Sequence, residues 1–205
     1  IPGECSRRFS EAMKLERSPV FETPSRKIVV PLPADKVSPQ VKRTRTCYYY
    51  PSATVEEIDF GEVGADRQFL IPATPHGAPP ACDGRPADTA AATEVTWGGY
   101  YRGKQGNAFF FDAGDGVNRG MPFAVFSLQG AKLLEDSHDG NGFSAVRVDQ
   151  AGLAVQYRRV WAASCSLYAD PAGCWKTIVA QTGLPADARP DCRAAYEAEM
   201  ARLPK

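Results

Sequence analysis

Six cysteine residues constrain the fold of this chain more than any other feature of its sequence. They are scattered from one end to the other, and none forms the C-x-x-C spacing of zinc and redox sites. The six are Cys5, Cys47, Cys82, Cys165, Cys174 and Cys192. An even number of scattered cysteines favours disulfide bonds, which persist in oxidising compartments. We therefore expect a disulfide-stapled protein that is secreted or periplasmic.

The sequence leaves the pairing of these cysteines open, because six cysteines allow about fifteen full pairings. A bridge between Cys174 and Cys192 would tie two predicted helices into a hairpin, and a bridge between Cys165 and Cys174 is nearly as suitable. A catalytic cysteine needs an imidazole or a helix N-terminus nearby, and neither histidine stands in an obviously relevant position. The sequence therefore predicts structural disulfides.

The charge balance and hydropathy of the chain exclude two classes of partner. It carries 24 Lys and Arg residues against 24 Asp and Glu residues, so no overall basic field attracts nucleic acid. No run approaches the roughly 20 consecutive apolar residues that cross a bilayer as a helix. We expect no nucleic-acid partner and no membrane span.

The order of secondary-structure signals predicts a single domain over residues 1–205, of the α+β class. Residues 1–40 are expected to form a short helix and a proline-rich extended segment, and residues 164–205 a helical hairpin. Residues 41–163 are expected to form a β-rich core that contains a long loop at 72–93. The expected architecture is an antiparallel β-sandwich or barrel-like meander with short helices at the N- and C-termini.

Short apolar runs between proline and glycine residues predict the strands. The predicted strands are Arg26 to Leu32, Thr44 to Tyr50, Thr54 to Phe60, Gln68 to Ile71, Glu94 to Trp97, Ala108 to Phe111, Phe123 to Leu128, Lys132 to Glu135, Phe143 to Val148 and Leu153 to Trp161. Turn residues around Gly130 and Gly152 predict two hairpins. Asp170 and Pro171 predict a helix start and Gly183 its end, and a second helix is predicted over Asp191 to Leu203.

Two acidic, glycine-rich segments share the pattern D-x-x-D-G and supply candidate metal ligands. Their oxygen-bearing residues are Asp112, Asp115, Asn118, Asp136, Asp139 and Asn141. Convergent carboxylate and amide oxygens suit a hard cation such as Ca²⁺, although neither segment has the EF-hand spacing. The same residues also form tight turns between strands. We favour the turn interpretation, with calcium as the one cofactor that the sequence suggests.

Clustered aromatic residues supply a candidate ligand-binding surface. Tyr48, Tyr50, Trp97, Tyr100 and Tyr101 would form an amphipathic platform for a sugar ring, a peptide or an apolar ligand if they reached one surface. Strand positions are more often part of the core, which is the competing interpretation.

No catalytic residue is predicted. The chain has no G-x-S-x-G elbow, no H-E-x-x-H, no P-loop and no G-x-G-x-x-G after a strand. Ser137-His138-Asp139 are adjacent, whereas a catalytic triad is assembled from distant positions. Glu56, Glu57 and Asp59, with Glu62, are expected on a solvated strand edge rather than in an acid–base pair.

These observations favour a binding or accessory protein with an unknown protein or glycan partner over an enzyme. We expect its site where the 72–93 loop meets the two acidic segments. The alternatives are a hydrolase that acts on envelope polymers through carboxylates and a secreted enzyme inhibitor.

Overall fold

The computed structural model describes residues 20–83, 91–116, 120–161 and 163–190, together with residues 193, 197 and 201. These residues form two antiparallel five-stranded sheets and one α-helix, so the fold is mostly β. The chain divides into two compact units, one of residues 17–160 and one of residues 1–16 with 161–205. Both sheets belong to the first unit, and the helix belongs to the second. The single-domain expectation stays a prediction.

The first sheet is a meander whose strands lie side by side in chain order. They are β1 (Arg26–Pro31), β2 (Thr44–Tyr49), β3 (Ala53–Asp59), β4 (Arg67–Pro72) and β5 (Thr93–Glu94). Pro31 and Pro72 each stand at the last position of a strand, where the missing N–H costs no ladder hydrogen bond. The predictions of β1 to β4 are confirmed, and β1 is an edge strand, as its surrounding prolines indicated.

The second sheet is also an antiparallel meander. Its strands are β6 (Gly99–Gln105), β7 (Ala108–Ala113), β8 (Met121–Ser127), β9 (Lys132–Asp149) and β10 (Gly152–Arg159). The two predicted hairpins, between β8 and β9 and between β9 and β10, are both present. Gly130 occupies the first of these turns at φ +77°, a conformation that costs glycine little.

The prediction around β5 and β6 was wrong in two respects. The expected strand from Glu94 to Trp97 is only the two-residue β5, and β6 was not predicted. Two glycines interrupt the β pattern of β6. Gly103 lies at a shift in the register between β6 and β7, where a side chain would overlap the ring of Phe21. A glycine is required at this position because Phe21 packs against it. The sequence pattern gives no sign of this contact.

The second acidic segment is not a turn between two strands, as predicted, but the middle of β9. The first half of β9 pairs with β8, and the second half pairs with β10. Between these halves Gly140 and Gly142 adopt φ values of +83° and +77°, and the register with β10 shifts between Tyr157 and Arg159. The two left-handed glycines make the strand irregular at this point. They do not end it, because the halves on both sides remain paired with neighbouring strands.

The hydrophobic core has one cluster that draws on both sheets. Its buried members are Tyr50, Ala53, Val55, Leu70, Val95, Tyr101, Phe109, Phe111, Ala124 and Phe126. A second cluster covers the opposite face of β7 and β8, where Phe110 packs against Phe21 and Phe143. The run Phe109-Phe110-Phe111 is apolar on both faces of its strand, and the structure covers both faces.

The long loop after β4 is fixed to the first sheet. A disulfide joins Cys82 to Cys47 of β2, which confirms the predicted tether. The hydroxyl of Tyr49 donates to the carbonyl of Pro80 at 2.9 Å. The bridge and this hydrogen bond hold residues 80–82 over the sheet.

The helix of the second unit, α1 (Pro171–Thr182), has the predicted caps. Asp170 accepts a hydrogen bond from the Gly173 N–H at 2.9 Å, and Gly183 ends the helix in the left-handed conformation. A disulfide joins Cys165 to Cys174, which is one of the two pairings that the sequence left open for Cys174.

Several predictions fall outside the described residues. They are the bonding of Cys5 and Cys192, the N-terminal helix, and nearly all of the helix over residues 191–203. Within the described ranges, no helix combines the length and the apolar character that crossing a bilayer requires.

Candidate functional site

A row of cross-strand neighbours places polar side chains on one face of the second sheet. The register pairs Tyr100 with Asp112, Asp112 with Phe123, and Phe123 with Asp136. Directly opposed residues project from the same face, so these four side chains lie next to one another. We call this group, with His138 and the charged residues bonded to it, the His138 site.

His138 is the centre of the site and is only 1% exposed. Its ring stacks on Phe123 with centroids 5.7 Å apart. The Gly140 N–H donates to Nδ1 at 3.0 Å, and Nε2 lies 3.2 Å from Oδ1 of Asp112. Because Nδ1 accepts a hydrogen bond, Nε2 carries the hydrogen and donates it to Asp112. Both ring nitrogens are therefore occupied.

Asp136 links two strands of the site through its carboxylate. It accepts a hydrogen bond from the Tyr157 hydroxyl and another from Nε of Arg159 at 2.9 Å. Burial raises the pKa of Tyr157, and the hydrogen bond to Asp136 raises it further. The phenol thus stays protonated and serves as a donor.

Three arginine–aspartate pairs surround the irregularity in β9. Arg102 Nε lies 3.5 Å from Asp112, Arg158 Nη1 lies 3.8 Å from Asp139, and Arg159 Nε lies 2.8 Å from Asp136. The arginine side chains are 53%, 58% and 45% exposed, and those of their aspartate partners 17%, 22% and 15%. Each arginine side chain is therefore about three times as exposed as that of its aspartate partner.

The structure brings four of the six candidate metal ligands to this site. Asp112, Asp136, Asp139 and Asn141 belong to it, and Asp139 accepts hydrogen bonds from both nitrogens of Asn141. Asp115 lies in the connection after β7, where it accepts from the Gly116 N–H, and Asn118 lies outside the described residues. Among the residues with described positions, no three His, Cys, Asp or Glu side chains group as a metal site. The calcium site stays a prediction.

The five candidate aromatic residues divide between two places. Tyr48, Tyr50, Trp97 and Tyr101 belong to the cluster shared by the two sheets. There the Tyr101 ring lies 4.9 Å from that of Tyr48, and its hydroxyl lies 3.0 Å from that of Tyr50. Tyr100 belongs to the His138 site, and its hydroxyl donates to the carbonyl of Glu62 at 3.1 Å. Only Tyr100 therefore stands beside the acidic residues.

Glu57 and Gln68 form a buried polar pair that the sequence analysis missed. Glu57 accepts from the Tyr101 N–H at 2.5 Å and from Gln68 Nε2 at 3.2 Å, and Gln68 Nε2 also donates to the Gly99 carbonyl at 2.7 Å. Burial raises the pKa of Glu57. The two side chains thus bond to backbone groups on the open edge of β6, where the Gly99 carbonyl also accepts from the Ala65 N–H at 3.0 Å.

Glu56 is also buried, so the expectation of a solvated edge for Glu56 and Glu57 was wrong. Its Oε1 lies 2.9 Å from Nε of Arg45, but neither atom has a hydrogen bond because the N–H does not point along the contact. Burial raises the pKa of Glu56 to about 7, against the opposing charges of Arg45 and Arg67.

At the end of the 72–93 loop, Thr93 packs against Gly130 in the hairpin that follows β8, whereas the His138 site adjoins the start of β8. The expected site where this loop meets the acidic segments stays a prediction. The acidic pattern did identify Asp112, Asp136 and Asp139, but their partners Arg102, Tyr157 and Arg159 depend on strand register. Alternation along the predicted strand Leu153 to Trp161 puts Tyr157 and Arg159 on one face, and this is the sequence signal that could have found them.

Comparison with protein-family models, with curated proteins and with solved structures finds no match for this chain.

Proposed function

We propose that this protein is a secreted or periplasmic binding or accessory protein that holds its ligand at the His138 site. The observation that carries this proposal is the hydrogen bonding of His138. A general base needs a free lone pair near its substrate, and both ring nitrogens of His138 are occupied by Gly140 and Asp112. The imidazole therefore has no free lone pair for a substrate, and its role is to hold Asp112 in position.

The carboxylates of the site support the same proposal. Asp136 and Asp139 each accept hydrogen bonds, and Asp112 is held by His138 and Arg102. Hydrolysis by a carboxylate pair requires one group as acid and another as base or nucleophile, both facing the scissile bond. Carboxylates that are already paired with arginines are better suited to ligand binding than to catalysis.

The proposed location and architecture rest on the disulfides and the core. Two disulfides, with no membrane-spanning helix in the described ranges, are consistent with an extracellular or periplasmic protein. The hydrophobic cluster that both sheets share supports a sandwich arrangement of the first unit.

Binding and turnover can be separated by one experiment. The protein is incubated with envelope polysaccharides and with a secreted-protein extract, and both retention and product release are measured. We expect retention without product release, and Tyr100→Ala should weaken glycan retention about five-fold because the partly exposed ring is lost. The matched control is Tyr168→Ala, which changes a tyrosine in the second unit.

Product release that Asp139→Asn abolishes, with retention intact, would make the protein an enzyme and overturn the proposal. Retention of one stoichiometric protein partner that Tyr100→Ala leaves unchanged would identify an inhibitor instead.

A further inference from the structure

The outward face of the His138 site is cationic although its charges balance. Arg102 and Arg159, which lie on this face, are about half exposed, while their partners Asp112 and Asp136 are mostly covered. An approaching ligand therefore meets guanidinium groups before it meets carboxylates. Because the carboxylates are partly buried behind them, they orient the arginines more than they repel an anion at the surface.

The contacts also leave the outer edge of two guanidinium groups available. Arg159 is hydrogen-bonded to Asp136 through Nε, and Arg102 faces Asp112 through Nε. In each case the Nη atoms are not used by the aspartate hydrogen bonds of the described residues. A guanidinium presents its N–H groups as a fork that matches the two oxygens of a carboxylate.

The position of Tyr100 indicates which class of anionic ligand the site would bind. It is the cross-strand neighbour of Asp112, and Arg102 lies two residues further along the same strand. An aromatic ring beside hydrogen-bonding groups is suited to the face of a sugar ring. The site thus combines a surface for a sugar with cations for an acidic substituent.

We infer that the His138 site binds an acidic glycan, with uronate carboxylates of the chain held by Arg102 and by Arg159 and a sugar ring placed against Tyr100. This inference rests on the proposed binding function and adds the ligand class.

Calorimetric titration with sized oligogalacturonate, and with a neutral maltooligosaccharide of equal length, tests the inference. We expect at least ten-fold tighter binding of the acidic oligosaccharide at low salt, and weaker binding as salt screens the charges. Arg102→Gln and Arg159→Gln, made singly and together, should each weaken binding about ten-fold, as the loss of a charge-assisted hydrogen bond predicts.

The matched control is Arg147→Gln. Arg147 is 69% exposed on β9 and is paired with Asp149, but it stands outside the His138 site. This change should leave the affinity within two-fold of the original. Unfolding curves of each variant establish that the site is intact, and Arg102, at 53% exposed, can be changed singly if the double variant is unstable.

Three outcomes would overturn the inference. They are equal affinity for the neutral and the acidic oligosaccharide, the same loss of affinity in Arg147→Gln, and binding to phosphatidylglycerol vesicles in place of the oligosaccharide. The first would remove the acidic ligand but leave a glycan-binding protein, whereas failure to retain any glycan or protein would remove the proposed function itself.

Discussion

At the scale of single residues, Glu56 links the buried face of the first sheet to pH. Its pKa is raised by burial to about 7, above the value of 4.5 for a free side chain. A raised pKa in the folded state means that the stabilisation is complete below about pH 4.5 and is lost as the pH rises through 7. Glu57 contributes in the same direction because burial also raises its pKa.

We therefore predict that the free energy of unfolding falls between pH 5 and pH 7.5, and that Glu56→Gln reduces this fall by up to about 3 kcal/mol. Urea unfolding of the original protein and of Glu56→Gln at the two pH values measures this difference in free energy. Glu135→Gln is the matched control, since Glu135 is half exposed and paired with Lys132. An equal pH dependence in Glu56→Gln and the original protein would show that the Glu56–Arg45 ion pair stays ionised across this range.

Residues such as Glu56 also show what a sequence pattern conveys. The run of β-forming residues between Pro51 and Gly61 identified β3, but Glu56 and Glu57 were both expected in solvent, because the sequence pattern contains no information about what covers each face. The loop fixed by Cys82 and the second sheet come from distant parts of the chain. The burial of Glu56 and Glu57 therefore depends on tertiary contacts that the local sequence does not contain.

At the scale of elements, strands bounded by proline and glycine were predictable, and strands held by distant side chains were not. β2 and β7 have dense β-forming sequences and were found with small boundary errors. β6 contains two glycines, and its edge is closed by Glu57 and Gln68 from the other sheet. The acidic segment of β9 contains turn residues, but pairing with β8 and β10 keeps it within a strand.

Close packing of β6 against β7 gives a prediction for this element. A side chain at Gly99 would overlap the backbone carbonyl oxygen of Asp112, which cannot rotate away, and would approach Nε1 of Trp97. We expect Gly99→Ala to lower the free energy of unfolding by about 2 kcal/mol or more, since overpacking forces a backbone shift. Thermal or denaturant unfolding measures the change.

Gly98→Ala is the control for this prediction, because a methyl group at Gly98 meets no atom within 4 Å. The two substitutions are chemically identical and adjacent in the chain. A similar effect of both would mean that chain entropy, rather than the contact with Asp112, determines the cost.

At the scale of the whole molecule, each compact unit contains one described disulfide, and the two close loops of different length. Cys47 and Cys82 are 35 positions apart and tie the long loop to β2, whereas Cys165 and Cys174 are 9 positions apart and tie α1 to the segment before it. In the chain-entropy model the longer loop restricts the unfolded chain more. Its bridge should therefore contribute the larger share of stability.

We predict that replacing Cys47 and Cys82 together by Ala lowers the free energy of unfolding by about 4 kcal/mol, and that replacing Cys165 and Cys174 lowers it by about 2.5 kcal/mol. The first change also removes the tether that holds the Tyr49–Pro80 hydrogen bond in place. Denaturant unfolding of the oxidised protein and both double variants gives these values, and mass spectrometry of the native material tests for the two bridges. Free thiols at these four positions, or a larger loss from the shorter loop, would contradict this account of how the chain is stabilised.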